Sequence, residues 1–370
     1  MKAVALIDSF KGCATSKELN QAALAGLSDQ WTERINIPIA DGGEGTMEAI
    51  YEAKGGEWVA VTTQTPLGAP LTANYLLTTI ENQRVAIIES ASYIGLHLVQ
   101  ATDESIRQAT TYGLGVVLND AIAKGVKRIY LTLGGSGTSD GGIGLLQALS
   151  GRTKDYLGNP LLQHPLESLT QIKLTTIELI GIADVTNPYA GSDGFAAIFG
   201  PQKGANPDTV HVMDEQAAAI VEWAQEKYQV DLTMAGAGAA GGLGGAILLL
   251  GGQIVSGFMT IQQLVGVTEH FAEADLILTG EGRMDSQTAH GKVPYGVACL
   301  AQEYGVPVIG LCGSRVDELG ELEDLLLGVF SIQQSPMTLA EAMKKSVALN
   351  NMRLTVKEVS KLLAYTQWHN

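Results

Sequence analysis

Short apolar runs alternate along this chain with glycine-rich polar turns and with segments of helical spacing. Residues 2–8 are apolar from Ala3 until Asp8 ends the run, which predicts a strand of a parallel sheet, where both faces are buried. Thr15 and Glu18 have the spacing of a capping box and start a helix reaching Trp31. A second strand is predicted at 35–39 and a helix at 47–54. From 59 to 90 the texture changes. Pro66, Gly68 and Pro70 interrupt it, and 71–77 and 85–88 read as antiparallel strands joined near Glu81-Asn82. Residues 103–124 predict one amphipathic helix (Ile106, Ala109, Val117, Ala121) stopped by Gly125, followed by a strand at 128–133. A strand at 178–183 and a long helix at 208–228 come next. Further strands are predicted at 276–278, 306–311 and 327–332. Two more capping-box spacings, Thr338/Glu341 and Thr355/Glu358, precede two terminal helices.

This rhythm predicts an α/β chain of two α/β domains. A Rossmann-like parallel-sheet domain would form from both chain ends, 1–66 plus 268–370. A second, mixed α/β domain, 67–267, would be inserted in it, with the functional loops of both facing an interdomain cleft.

Composition narrows the partners. The 370 residues are 46% hydrophobic and include 44 glycines, enough for a substantial core and for two domains. A formal net charge of -16 argues against nucleic acid or an anionic membrane as partner. An anionic ligand would have to be held by backbone dipoles, a few cations and a bound metal against that field. Cys13, Cys299 and Cys312 are odd in number and lack metal spacing, which points to reduced thiols in a cytoplasmic protein. No basic segment precedes the apolar residues 3–7, so they predict a first strand, not a signal peptide. Residues 232–268 carry no charge, but 235–252 hold eight glycines and five alanines, too little apolar drive for a membrane span.

Candidate chemistry clusters where strands run into glycine turns. Lys11, in Ser9-Phe10-Lys11-Gly12, falls at a strand's carboxyl end beside a helix N-terminus, where a phosphate would be held. Asp41-Gly42-Gly43-Glu44-Gly45 and Asp140-Gly141-Gly142-Ile143-Gly144 each supply carboxylate and peptide N–H groups. Gly134, Gly135 and Ser136 open the second of these loops. Asp184 lies just past a strand, a good position for a base or metal ligand, with Asn187 close behind. The densest stretch is 276–292. Gly280 and Gly282 permit tight turns there, among Glu281, Arg283, Asp285, Gln287, Thr288 and Lys292. Carboxylates alternating with cations around glycines are what a metal–phosphate site needs.

Other engines are missing. Gly291-Lys292 is followed by Val293 and lacks the earlier glycine, so no P-loop is present. Thr138 stands where a nucleophile elbow needs glycine. None of the six histidines has H-E-x-x-H spacing. Gly236-Ala237-Gly238-Ala239-Ala240-Gly241 matches G-x-G-x-x-G, yet no Asp or Glu follows between Asp231 and Glu269 to hold a ribose. Phosphoryl transfer, by contrast, uses all the parts present.

Residues 8–12, 38–46, 134–142 and 279–292 resemble the successive signatures of the bacterial type I glycerate kinases, and 199–205 and 235–245 are similar to theirs as well. The likeness runs in order over essentially the whole chain. It departs at Gly137 and Ser139, where Ala and Asn are more usual, and at Cys13, where Ser is common. The resemblance implies a two-domain α/β kinase that phosphorylates D-glycerate from ATP with Mg²⁺, typically to 2-phosphoglycerate, in glyoxylate, glycolate or sugar-acid breakdown. The residues themselves leave the 2- and 3-hydroxyls open. From other classes, a nicotinamide-dependent oxidoreductase built on 236–241 and a two-lobed binding protein are the rivals.

Motif position then implies roles. Asp184 would orient or deprotonate the hydroxyl. Glu281 and Asp285 would hold Mg²⁺, with Asp41 and Asp140 in reserve. Lys11, Lys292 and Arg283 would neutralise the phosphoryl group or the glycerate carboxylate. Ser9, Asn187, Gln287, Thr288 and the turns at Gly42-Gly43 and Gly134-Gly135-Ser136 would contact substrate or phosphate. Gly236, Gly238 and Gly280 would line the nucleotide.

Overall fold

The structure, a computed structural model, describes residues 1–151, 158–163, 176–286, 288–289 and 291–367. Among the described residues the strands are β1 (Lys2–Ile7), β2 (Glu33–Asn36), β3 (Glu57–Gln64), β4 (Pro70–Ile80), β5 (Gln83–Glu89), β6 (Arg128–Thr132), β7 (Glu178–Ile182), β8 (Gln253–Val255), β9 (Leu276–Met284), β10 (Val308–Arg315) and β11 (Gly328–Ser331). They form two sheets, and the chain divides into two units, Met1–Ala53 with Gly257–Asn370, and Lys54–Ser256.

The first unit carries a parallel sheet of order β11-β10-β9-β1-β2. β1 is buried along its whole length, as a strand with parallel neighbours on both sides must be. Its partner β9 joins it from Ala3↔Leu276 to Ile7↔Gly280. The helix Ser16–Gly26 starts at the expected Thr15/Glu18 capping box and packs on the C-terminal helix Lys345–Gln367. Gly26 makes the approach possible, since a Cβ there would lie 2.4 Å from the Arg353 carbonyl oxygen. Leu19, Trp31, Met352 and Val356 are buried in the same core.

The second unit carries a six-stranded sheet, β3-β4-β5-β6-β7-β8. Its first three strands are an antiparallel meander and the last four run parallel. The β4–β5 hairpin turns at Glu81 (φ 52°) and Asn82 (φ 61°), both left-handed, as a two-residue type I′ turn requires.

Several elements depart from expectation. The division falls at Lys54 and Gly257, not near Pro66 and residue 268, because β3 pairs with β4 from Glu57↔Leu77 to Gln64↔Pro70. The helix expected over 103–124 is two pieces, Asp103–Ile106 and Tyr112–Ala123. Thr110 and Thr111 leave the helix between them to bind Asp140. β9 continues through Gly280 and Gly282 to Met284, because Glu281 and Arg283 still pair with Cys312 and Ser314 of β10. Thr338/Glu341 is a capping box, whereas Thr355 lies inside the final helix and accepts from Gln334 Nε2 at 2.8 Å. Among the described residues no helix is long and apolar enough to cross a membrane.

Candidate active site

Each unit has a pocket beside the strand-end loops. That of the first unit, about 510 Å³, has a polar side of Asp8, Ser9, Lys11, Asp41, Glu281 and Lys292 and an apolar side that includes Phe10, Ile332 and Met343. Arg283 and Asp285 also line it. Carboxyl ends of parallel strands place these groups together, as they do in other open α/β sheets.

Glu281 is nearly buried and held in place from two directions. Thr288 Oγ1 donates to its Oε1 at 2.5 Å, and Lys292 Nζ lies 3.3 Å from its Oε2. Thr288 is positioned in turn by the Asp285 N–H, which donates to its Oγ1 at 3.0 Å. Burial pushes the Glu281 carboxyl above its ordinary range, against the pull of Thr288 and Lys292. Lys11 Nζ lies 3.9 Å from Asp41 Oδ2, and Asp41 holds the ammonium above its ordinary value. Arg283 Nε lies 3.6 Å from Asp285 Oδ2. The Ser9 hydroxyl is buried in this setting without a hydrogen-bond partner among the described residues.

Asp8 was not among the expected site residues. It ends β1, is 5% exposed, and lines the pocket beside Asp41 and Glu281. A carboxylate closing the apolar run 3–7 was the available signal. Burial, and then Asp41, push its carboxyl well above the aspartate range, with Lys11 opposing. The folded state therefore holds this proton more tightly than the unfolded chain, and stability falls as pH rises through the window above the ordinary aspartate value. Asp8→Asn escapes that loss. Its stability advantage over wild type is expected to widen by up to about 1.4 kcal/mol per pH unit inside the window and to vanish near the ordinary aspartate value. Urea unfolding at about pH 4.5 and about pH 7.5 measures it, and a pH-independent difference refutes it.

The glycines here are mostly geometric. Gly42 takes φ 87°, and the Gly43 N–H donates to Asp41 Oδ1 at 3.0 Å, so that amide serves the turn rather than a phosphate. Gly280 lies within β9, where a Cβ would sit 2.0 Å from the Leu311 carbonyl oxygen, and does not line the pocket. Gln287 falls outside the described residues.

The second unit's pocket, about 220 Å³, is lined by Gly134, Gly135, Ser136, Asp184, Lys203 and Ala240 among others. Asp184 Oδ1 accepts from Ser256 Oγ at 3.2 Å. Lys203, within the family-like stretch 199–205, is 4% exposed and donates to Ser136 Oγ at 2.9 Å and to the Thr138 carbonyl at 2.6 Å. Burial pushes its ammonium down to about 7. Asn187 turns away from this role, its Nδ2 donating to the Asp193 carbonyl at 2.8 Å.

Asp140, the reserve metal ligand, is fully buried and serves the loop itself. Its carboxylate accepts from Thr110 Oγ1, Thr111 N and Oγ1, Gly142 N and Gly144 N at 2.7–3.2 Å. Those donors occupy the lone pairs a cation would need. Gly236 and Gly238 are likewise packing residues. The Gly238 N–H donates to the Asn187 carbonyl at 3.0 Å, and Cβ atoms would meet Ile254 at 2.9 Å and the Pro188 carbonyl at 2.2 Å. No strand precedes them, so the dinucleotide fingerprint, which needs strand, turn and helix, is not formed. Ala240, Gly241 and Gly242 instead make a left-handed turn (φ 53°, 70° and 89°) that braces the Asp140 loop, Gly241 accepting from Gly141 N at 3.0 Å. Gly241→Ala would press a Cβ to 2.1 Å from the Thr138 carbonyl oxygen. It is expected to destabilise the fold by about 2–4 kcal/mol, read as a lower urea midpoint.

A model of the glycerate kinase family matches residues 3–364. The chain belongs to that family. It is 36% identical over 358 residues to the glycerate 2-kinase of Escherichia coli (strain K12), covering 93% of both chains. It is 34% identical over 374 residues to the glycerate kinase of Bacillus subtilis (strain 168), covering 97% of both. A crystal structure assigned to a glycerate kinase 2 from Salmonella typhimurium LT2 superposes with a TM-score of 0.83 at 35% identity, covering 100% of this chain and 99% of that one. In this glycerate kinase family member, the sequence signatures thus separate into two loop sets. Lys11, Asp41, Glu281 and Lys292 line one pocket, and Gly134–Ser136 and Asp184 line the other.

Proposed function

We propose that this kinase transfers the γ-phosphoryl group of ATP to the 2-hydroxyl of D-glycerate, giving 2-phosphoglycerate and ADP. The observation that carries this reading is the first-unit pocket. Lys11, Lys292 and Arg283 share it with Asp8, Asp41, Glu281 and Asp285 beside a buried Ser9 hydroxyl that has no partner among the described residues. Naming of the Escherichia coli relative as a glycerate 2-kinase supports the choice of hydroxyl.

The pocket's volume of about 510 Å³ suits a nucleotide, with an apolar side for the base and a charged side for the phosphates. Among the described residues no three His, Cys, Asp or Glu side chains are arranged to hold a metal on their own. Mg²⁺ does not require that, since it is usually held by one or two carboxylates together with substrate phosphates. Glu281, Asp285 and Asp41 are the oxygen donors that fit it, and the ion would neutralise charge on the transferring phosphoryl group. Lys11, Lys292 and Arg283 bind and orient the phosphates, and the Ser9 hydroxyl is free to donate to one of them. Asp184 takes the proton of the acceptor hydroxyl as its oxygen attacks the γ-phosphorus and ADP departs. The three free cysteines are in keeping with a cytoplasmic enzyme, and the net charge of -16 with a small-molecule partner instead of nucleic acid. Incubation with ATP and D-glycerate, followed by phosphorus NMR, tests the reading. A 2-phosphate ester is expected. A 3-phosphate ester would reverse the regiochemistry, and no ester would overturn the assignment.

A further inference from the structure

Lys203 is a cation in a position that ordinarily excludes one. Lysine is almost never buried without a paired carboxylate, yet among the described residues no carboxylate lies within ion-pairing distance of this ammonium. Its two acceptors, Ser136 Oγ and the Thr138 carbonyl oxygen, are both neutral. An ammonium has three protons to donate, so one remains beyond these two bonds. The loop beside it is short of acceptors too. Among the described residues the peptide N–H groups of Gly134, Gly135 and Ser136 have no hydrogen-bond partner, while Gly135 takes φ 76°. Successive N–H groups around a left-handed residue make an anion-binding concavity. Lys203, this loop and Asp184 all line the same pocket of about 220 Å³.

We infer that the Lys203 ammonium and the Gly134–Ser136 amides receive the carboxylate of the hydroxy-acid acceptor, in the pocket that Asp184 also lines. This rests on the glycerate kinase reading and deepens it by naming the group that recognises the acid. A three-carbon hydroxy acid needs one cationic and one basic partner, and the pocket holds one of each. Its volume is less than half that of the first-unit pocket, which fits the smaller of the two substrates. Burial lowers the affinity of Lys203 for its proton while the Asp140 charge raises it, so burial outweighs that negative charge. A carboxylate arriving there returns the missing charge and overcomes the repulsion of a chain with net charge -16.

The test uses the full-length chain with Mg-ATP and two acceptors, D-glycerate and its uncharged amide, D-glyceramide. Wild type is expected to favour D-glycerate in kcat/KM by roughly 10²-fold. In Lys203→Met that preference should shrink below about 10-fold through a raised KM for D-glycerate, with the KM for ATP essentially unchanged. A Lys203 that only supports the fold would lower both acceptors alike. Ser136→Asp is the second variant, for the case that Lys203→Met does not fold. It places a carboxylate against the ammonium and should raise the KM for D-glycerate by about 10-fold or more. Unchanged discrimination in Lys203→Met, a wild-type KM in Ser136→Asp, or a KM increase confined to ATP would each overturn the inference while the kinase reading stands. No ester from the wild-type chain would overturn both.

Discussion

Asp184→Asn is expected to lower turnover of D-glycerate by about 10²–10⁴-fold without unfolding the chain. The residue lies two positions beyond β7, and its Oδ1 accepts from Ser256 Oγ at 3.2 Å. An asparagine carbonyl can keep that bond, and the side chain's shape is unchanged, so packing around β7 survives. What asparagine lacks is the basicity to take a hydroxyl proton. The loss should therefore fall on kcat, with the melting temperature close to that of wild type. Turnover near wild type in a folded variant would remove Asp184 from the chemistry and leave the pocket of the second unit as a binding element only.

Asp140→Ala should produce the largest loss of stability, about 3–5 kcal/mol. The Asp140 carboxylate is the common acceptor for two threonines and two glycine amides that come from separate segments, and nothing else in the loop can replace it. Burial works against its charged form, while the hydrogen bonds from Thr110, Thr111 and Gly144 work for it. Alanine would strand those donors in a dry interior, where each unmet hydrogen bond costs about 1–3 kcal/mol. The measurement is the urea midpoint at constant m-value, and a loss below about 1 kcal/mol would mean that the loop holds its shape without the carboxylate.

These two aspartates show where sequence is informative and where it is silent. Both follow strands, both are flanked by turn residues, and both looked like chemistry. Only the fold separates them, because the threonines that saturate Asp140 lie 29 and 30 residues away. The end of β1, the Thr15 and Thr338 caps and the Glu81-Asn82 hairpin were legible because each depends on neighbours a few residues distant. So was the grouping of Lys11, Asp41, Glu281 and Lys292, since three of them follow strands of the same sheet and Glu281 lies near the end of β9. Lys203 was not. Its stretch, 199–205, resembles the family's, but nothing in the sequence marks the lysine as buried, since its setting depends on Ser136, 67 residues away. The glycines at 236–242 misled for a related reason. A fingerprint of spaced glycines records close approach, and here what approaches is other protein backbone, such as the Pro188 and Thr138 carbonyls.

The placement of β1 between β2 and β9 also has a consequence for biosynthesis. All six strands of the second sheet are contiguous in the chain, so that unit can assemble as soon as it leaves the ribosome. β1 must wait for a neighbour 273 positions later, an interval of roughly 15–55 s at ordinary elongation rates. For that time β1, apolar from Ala3 to Ile7, is translated, unpaired on one side and prone to aggregate, which makes it a segment in need of chaperone protection.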